Sequence, residues 1–352
     1  MHKLFHSHSP FRIFWFSILA TLGTLVGVQL GLGFNSLFIV LILIVVEITF
    51  SFENAIINAK ILTKMSRFWQ NIFLSVGIII AVFGMRVVFP IVIVMITTGL
   101  GWSAVLDLAF GNPEEYSKAL DLAHPQIAAF GGAFLLMLAL HFFFDSDREV
   151  MWFKRIETWF QRFNAHWGPA VVGFVIIAIL AVLPFNNHPT ETIFAGSIGI
   201  LTYSILQVVI HLFERIKNKS DKKLGGSNKI LEQTGMIAFT SFIYLEILDA
   251  SFSFDSVVGA FAITTDVLLI ALGLGIGAIW VRSLTIFMVR RGTLHAYKYL
   301  EHGAHYTVLV LSAVLLFGIF LHVPEVIAGG IGIVLITASI IASQRMNKKS
   351  QA

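Results

Sequence analysis

Ten runs of apolar residues, each near or beyond the length that crosses a bilayer, alternate along the chain with breaks that carry charge, Gly or Pro. They predict helices over 11–31, 35–60, 69–99, 126–144, 169–184, 191–213, 236–260, 265–289, 303–322 and 324–343, and hence an all-α polytopic membrane protein. A span needs about 20 apolar residues, so the fifth run is short. The third is long enough to tilt or break, with Pro90 as a kink inside it. The first comes after a basic start but is longer than a signal-peptide core, and no small-residue cleavage site succeeds it, so it reads as a retained helix.

Composition agrees with the pattern: 57% of the residues are hydrophobic, 12% are charged, and mean hydropathy is +0.85. A net charge of +4 would suit nucleic acid only if the basic residues clustered on a soluble face, and they do not. All but three of the 24 Lys and Arg fall in alternate loops and the two termini, the side that the positive-inside rule assigns to the cytoplasm. Lys118 lies in an acidic loop on the other side, and Arg86 and Arg282 lie inside spans. This places a multi-pass protein in the cell membrane with both termini cytoplasmic. There is no cysteine, which excludes disulfides and thiolate metal sites. Signatures of Walker loops, H-E-x-x-H zinc sites and G-x-S-x-G hydrolases are missing, so an enzyme is not expected.

Two nonapeptides, EITFSFENA (47–55) and DASFSFDSV (249–257), share one pattern: carboxylate, spacer, small or hydroxyl residue, Phe, Ser, Phe, carboxylate, amide or hydroxyl, apolar. The first lies on the second span and the second on the seventh, an offset of five spans that inverts the second copy. Gly84-Met85-Arg86 on the third span and Trp280-Val281-Arg282 on the eighth echo each other. The organisation is thus a five-plus-five inverted repeat: residues 1–213 hold the first repeat and the sixth helix, 214–235 form a basic cytoplasmic linker, and 236–352 complete the second repeat.

Glu47, Glu53, Glu246, Asp249, Asp255, Arg86 and Arg282 are the charges within the spans. At roughly 2.5–3.5 kcal/mol each on insertion scales, they cannot all face lipid unpaired. They must converge on one another, on an ion or on water. Glu47, Ser51 and Asn54 stand at i, i+4 and i+7 on one helix face, and Asp249, Ser253 and Ser256 repeat it, with Glu246 one turn earlier. Glu53 and Asp255 lie about 120° from that stripe. Either they meet Arg86 and Arg282, or the helix is broken at Ser-Phe-Glu-Asn.

The donors are all oxygen, which suits Mn²⁺, Ca²⁺ or Mg²⁺ and not Cu(I) or structural Zn²⁺. Paired buried carboxylates can also exchange a cation for protons. A purely structural ion-pair network is the plainer alternative. His141 with Asp145, and His322 with Glu325, belong either to an exit path or, more simply, to the polar interface, and His2, His6 and His8 form a weak metal-binding cluster or, by default, a solvated terminus. Asp266 is either a vestibule carboxylate or a helix cap.

The SFENA beyond Glu47, and the SFDSVVGAFAITTD beyond Glu246 and Asp249, resemble the two signature stretches of the TerC family of integral membrane proteins, within the LysE-like transporter superfamily. That resemblance covers the second to fourth and seventh to ninth spans. It implies export of manganese or a related divalent cation, with the acidic roles on Glu47, Glu53, Asp249 and Asp255 and with Asn54 and Ser256 beside them. Glu53 departs from the family, which has Asp there. The expected partners are therefore lipid, a divalent cation as cargo and protons, with no bound cofactor, no nucleic acid and no oligomeric state assigned. A non-transporting scaffold for metal or tellurium stress, or an exporter of small organic solutes, are the competing functions.

Overall fold

The computed structural model describes residues 10–148, 150–162, 167–223, 235–260, 263–264, 266–321 and 325–349. Among these there are helices and no strands, as the apolar runs require. The chain is an all-α polytopic membrane protein. Eight helices are long and apolar enough to cross a membrane, nine when one bent pair is counted as a single span. In chain order the elements are α1 (Pro10–Gly31), the bent pair α2 (Gly33–Phe50) and α3 (Phe52–Leu62), α4 (Arg67–Ile79), a π-helical segment (Ile80–Val88), α5 (Phe89–Thr98), α6 (Trp102–Gly111), α7 (Pro113–Phe144), α8 (Lys154–Gln161) and α9 (Gly168–Ala181). Then come α10 (Pro189–Lys223), α11 (Gly235–Ala260), α12 (Val267–Arg291), α13 (Thr293–Ala296), α14 (Leu300–Gly318) and α15 (Glu325–Lys349). The fifth expected span is α9, an apolar helix whose 14 residues are fewer than the roughly 20 that cross a bilayer of full thickness.

Three boundaries differ from expectation for physical reasons. α7 begins thirteen residues before the apolar run, because Pro113 and the first-turn acids Glu114 and Glu115 suit a helix N-terminus that the polar composition hid. α10 runs on to Lys223, so the first part of the expected linker 214–235 is helical. The third span holds Pro90 without ending: a wide π-helical segment precedes it, and Pro90 itself falls in the first turn of α5, where its missing N–H costs little.

Two helices form the inner axis of the bundle. From Ala128 to Phe144 α7 is almost wholly buried, packed on α10, α14, α11, α9 and α5, while α12 is enclosed by α1, α2, α3 and the π segment. Some contacts recur in matching form in the two halves of the chain. α2 meets α12 as α11 meets the π segment, and α3 meets α14 as α11 meets α7. The outer helices break the match: α1 is fixed to α12 through a 2.8 Å contact between the Ser17 and Ser283 hydroxyls, whereas its counterpart α10 lies on α7.

On the end of the bundle where α7 stops, the short α8 is fastened by one carboxylate. Glu157, fully buried, accepts from the Trp152 and Phe153 backbone N–H groups (3.2 and 3.1 Å), from Arg148 Nη2 (3.2 Å) and from the Tyr306 hydroxyl (3.2 Å), with His302 Nε2 at 3.3 Å. Burial pushes its pKa up, but the His302 hydrogen bond, the Phe153 N–H and the Arg148 charge outweigh this and hold the carboxyl below its ordinary 4.5. A depressed pKa gives stability that is present above the unfolded value and lost as pH falls through the folded one. Hydrogen-exchange protection of residues 150–161 should therefore be unchanged from neutral pH down to about 4.5 and decline below it. Release of this segment already at pH 6 would show that Glu157 is not what fastens it.

Candidate functional site

The candidate residues meet where the bent second span crosses the seventh. α2 ends at Phe50, Ser51 turns with φ −102° and ψ 15°, and α3 restarts at Phe52, a bend of 50°. The break expected at Ser-Phe-Glu-Asn is present in the first half. α11 is unbroken through its own copy of the motif. The break also explains Glu53, which stands in the first turn of α3, where a helix N-terminus favours a carboxylate, and is 5% exposed.

The polar stripe forms as its spacing predicts. Ser51 Oγ donates to Glu47 Oε1 at 3.2 Å, and Asn54 Nδ2, from the first half, donates to Asp249 Oδ1 of the second at 2.7 Å. Asn58 Nδ2 donates to the same oxygen at 3.0 Å. Sequence reasoning passed over Asn58, although it continues the series 47, 51, 54 by one more turn.

Both arginines reach carboxylates inside the spans, as expected, with Glu47, Glu246 and Asp249 as the partners shown. Arg86 pairs with Glu47 and donates to the Ala81 carbonyl at 2.8 Å; Arg282 pairs with Asp249 and holds Glu246 through Nη1 at 3.2 Å and Nη2 at 3.1 Å. A pairing of Arg86 or Arg282 with Glu53 is the one that does not form among the described residues. The π segment that carries Arg86 widens the turn and re-aims it, and the new N-terminus at Phe52 gives Glu53 a different environment. The side chain of Asp255 is outside the described residues, as are those of Phe254 and Glu325 and the whole of His2, His6, His8 and His322. Ser256 is partly buried on α11. Asp266 caps α12, accepting from the Leu268 and Leu269 N–H groups at 2.9 and 3.2 Å.

Two glycines make this packing possible, and both were missed in the sequence. A Cβ on Gly277 would stand 2.5 Å from Glu47 Cβ, and one on Gly77 would stand 2.2 Å from Arg282 Nη1. For Gly77 the signal was a spacing shared with a third glycine: Gly77 precedes Arg86, and Gly273 precedes Arg282, by nine residues each. Each glycine admits a residue from the opposite half, Arg282 at Gly77 and Leu43 at Gly273. Gly277→Ala should cost about 1–3 kcal/mol, because the obstructing atom is the root of a side chain and cannot swing away. A melting temperature in detergent equal to that of the wild type would show that α2 and α12 can part freely.

Six buried side-chain atoms of the network lack a hydrogen-bond partner: Glu47 Oε2, Asn54 Oδ1, Asn58 Oδ1, Ser253 Oγ and the Nε atoms of Arg86 and Arg282. Four of the six are oxygens. Among the described residues, two guanidiniums pair with three buried carboxylates (Glu47, Glu246, Asp249) and a fourth, Glu53, is buried on α3, which leaves two negative charges when all are ionised. No group of three or more His, Cys, Asp or Glu among them is arranged to hold a metal. Any cation here would have to use amide and hydroxyl oxygens beside one or two carboxylates.

Residues 52–350 match the model of a family described as a protein of unknown function, DUF475. The chain belongs to that family. The match opens at the break after Ser51, so Glu53, Asn54, Arg86, Glu246, Asp249 and Arg282 lie within the DUF475 region and Glu47 lies just before it. No curated protein and no solved structure matches the chain.

Proposed function

We propose that this DUF475 protein is a membrane transporter that exports a hard divalent cation, manganese first among them, in exchange for protons. One observation carries the reading: the orphaned oxygens Glu47 Oε2, Asn54 Oδ1, Asn58 Oδ1 and Ser253 Oγ, buried among four carboxylates and two guanidiniums, a set with two negative charges in excess when every carboxylate is ionised. A buried acceptor without a partner costs about 1–3 kcal/mol. A divalent cation, or two protons, would satisfy both the oxygens and the charge, and oxygen donors of this kind suit Mn²⁺, Mg²⁺ or Ca²⁺. The likeness of the two motifs to the TerC family supports the same cargo. The distribution of Lys and Arg supports a cell-membrane location with both termini in the cytoplasm.

In this reading Glu47, Asn54 and Asp249 supply ligands, Glu53 and Glu246 carry protons or add ligands, and Asp255 and Ser256 extend the set. Arg86 and Arg282 neutralise the carboxylates when the site is empty. Every arginine pair described would then be broken or shared as the cation enters, which is where proton coupling arises. The test is flux in proteoliposomes: an imposed pH gradient should drive manganese, and manganese should drive protons the other way. Absence of flux for manganese, magnesium and calcium alike, with folded protein in the bilayer, would rule the reading out. The closure of both arginines onto carboxylates favours a second reading, a non-transporting scaffold whose network is structural. Unaltered metal content in cells lacking the protein would decide for it.

A further inference from the structure

A cavity of about 310 Å³ opens at the end of the bundle where α3 and α7 stop and α11 and α14 start. Its rim is polar and exposed, with Lys64, Asp145 and His211 among its residues. Its floor is buried and is made by Ile57, Tyr203, Ser241 and Tyr244. Gln207 donates to the Tyr203 hydroxyl at 3.2 Å, and the Tyr203 and Tyr244 rings meet edge to face at 5.9 Å. The cavity therefore combines a wet mouth with a floor of hydroxyls and aromatic edges.

The floor stops just short of the network. Ile57 is the neighbour in sequence of Asn58, which donates to Asp249 at 3.0 Å. Tyr244 precedes Asp249 on α11 by five residues, a rise of about 7.5 Å. Ile61, which also lines the cavity, lies one turn below Asn58 on the same face of α3. Across the mouth, Lys60 of the first half pairs with Glu301 of the second, a part-exposed bridge between the repeats.

We propose that this cavity is the aqueous vestibule through which the Asp249 network exchanges its cation with one side of the membrane, closed by Ile57 and Tyr244 and held closed by the Lys60–Glu301 pair. The inference rests on the transporter reading for its cargo, a hydrated divalent cation. It stands on the geometry for its path. A vestibule and a lipid-filled crevice make opposite demands: the first must admit a charged, water-borne probe to its buried floor and the second must refuse it.

The chain has no cysteine, so single cysteines report without background. Ser241→Cys is nearly isosteric, and Ile61→Cys shortens a partly buried side chain. Both should react with a membrane-impermeant, positively charged thiol reagent, and from the same side of oriented vesicles as Lys64→Cys at the rim. Val175→Cys, on the exposed apolar face of α9, should not react. Adding Glu301→Gln should raise the Ser241→Cys rate up to about fivefold, the population shift that loss of one part-exposed ion pair provides. If Lys64→Cys reacts while Ser241→Cys and Ile61→Cys both refuse the reagent in folded protein, the vestibule is excluded. Reaction from the side opposite to Lys64→Cys excludes it equally. The two readings fail separately: labelling without cation flux leaves the vestibule and removes the transporter, and flux without labelling does the reverse.

Discussion

Arg282→Gln is expected to lower stability by about 3–5 kcal/mol, the largest effect of any single substitution in the site. The guanidinium is 2% exposed, holds Glu246 and Asp249 together, donates to the Phe73 carbonyl at 3.1 Å and lies over the Phe73 ring at 4.1 Å. Removing the charge leaves two carboxylates buried side by side without the cation that pairs with both. Glutamine reaches neither oxygen set in the same bidentate way. Thermal unfolding in detergent should show the loss, and adding Glu246→Gln should recover part of it by deleting one of the stranded charges. A single variant as stable as the wild type would mean that the carboxylates are already protonated in the folded protein, and the excess of negative charge in the network would vanish with it.

Asp249→Asn is expected to abolish cation flux, and the structure adds that folding will not escape untouched. Asp249 accepts from Asn54 and Asn58 through Oδ1 and from Arg282 through Oδ2, so an amide in its place must turn a donor toward a donor. A loss of about 1–3 kcal/mol should accompany it, as for other buried groups left unpaired. Flux must therefore be compared at matched amounts of folded protein in the bilayer. Flux equal to the wild type under that condition would remove Asp249 from the transport step, whatever its contribution to packing.

The spans were legible because bilayer length is written directly in apolar run length, and the pairing of Asn54 with Asp249 was legible because a helix repeats its faces every three or four residues. The hydrogen bond between Ser51 and Glu47 comes from the same arithmetic. That arithmetic cannot tell which carboxylate Arg86 meets. A π-helical turn changes the phase of the helix beyond it, and nothing local in IAVFGMRVV marks the change apart from Pro90, two residues past its end. For Glu53 the structure decides between the two readings left open: the break at Ser51 turns a mid-helix carboxylate into a first-turn one. Gly77 and Gly277 stayed hidden because glycine is common in spans, and only the approach of Arg282 and Glu47 reveals which ones are needed.

The shortness of α9 has a bearing on the surrounding lipid. Fourteen residues rise only about 21 Å, against a hydrocarbon core of about 30 Å. Val171, Phe174, Val175 and Ile179 all present their side chains outward along it. Acyl chains against that flank must shorten or tilt to keep its ends in contact with headgroups, at a fraction of a kcal/mol for each ångström of mismatch. The molecule thus carries a thin edge at α9, and short-chain lipids should gather along it in preference to long ones.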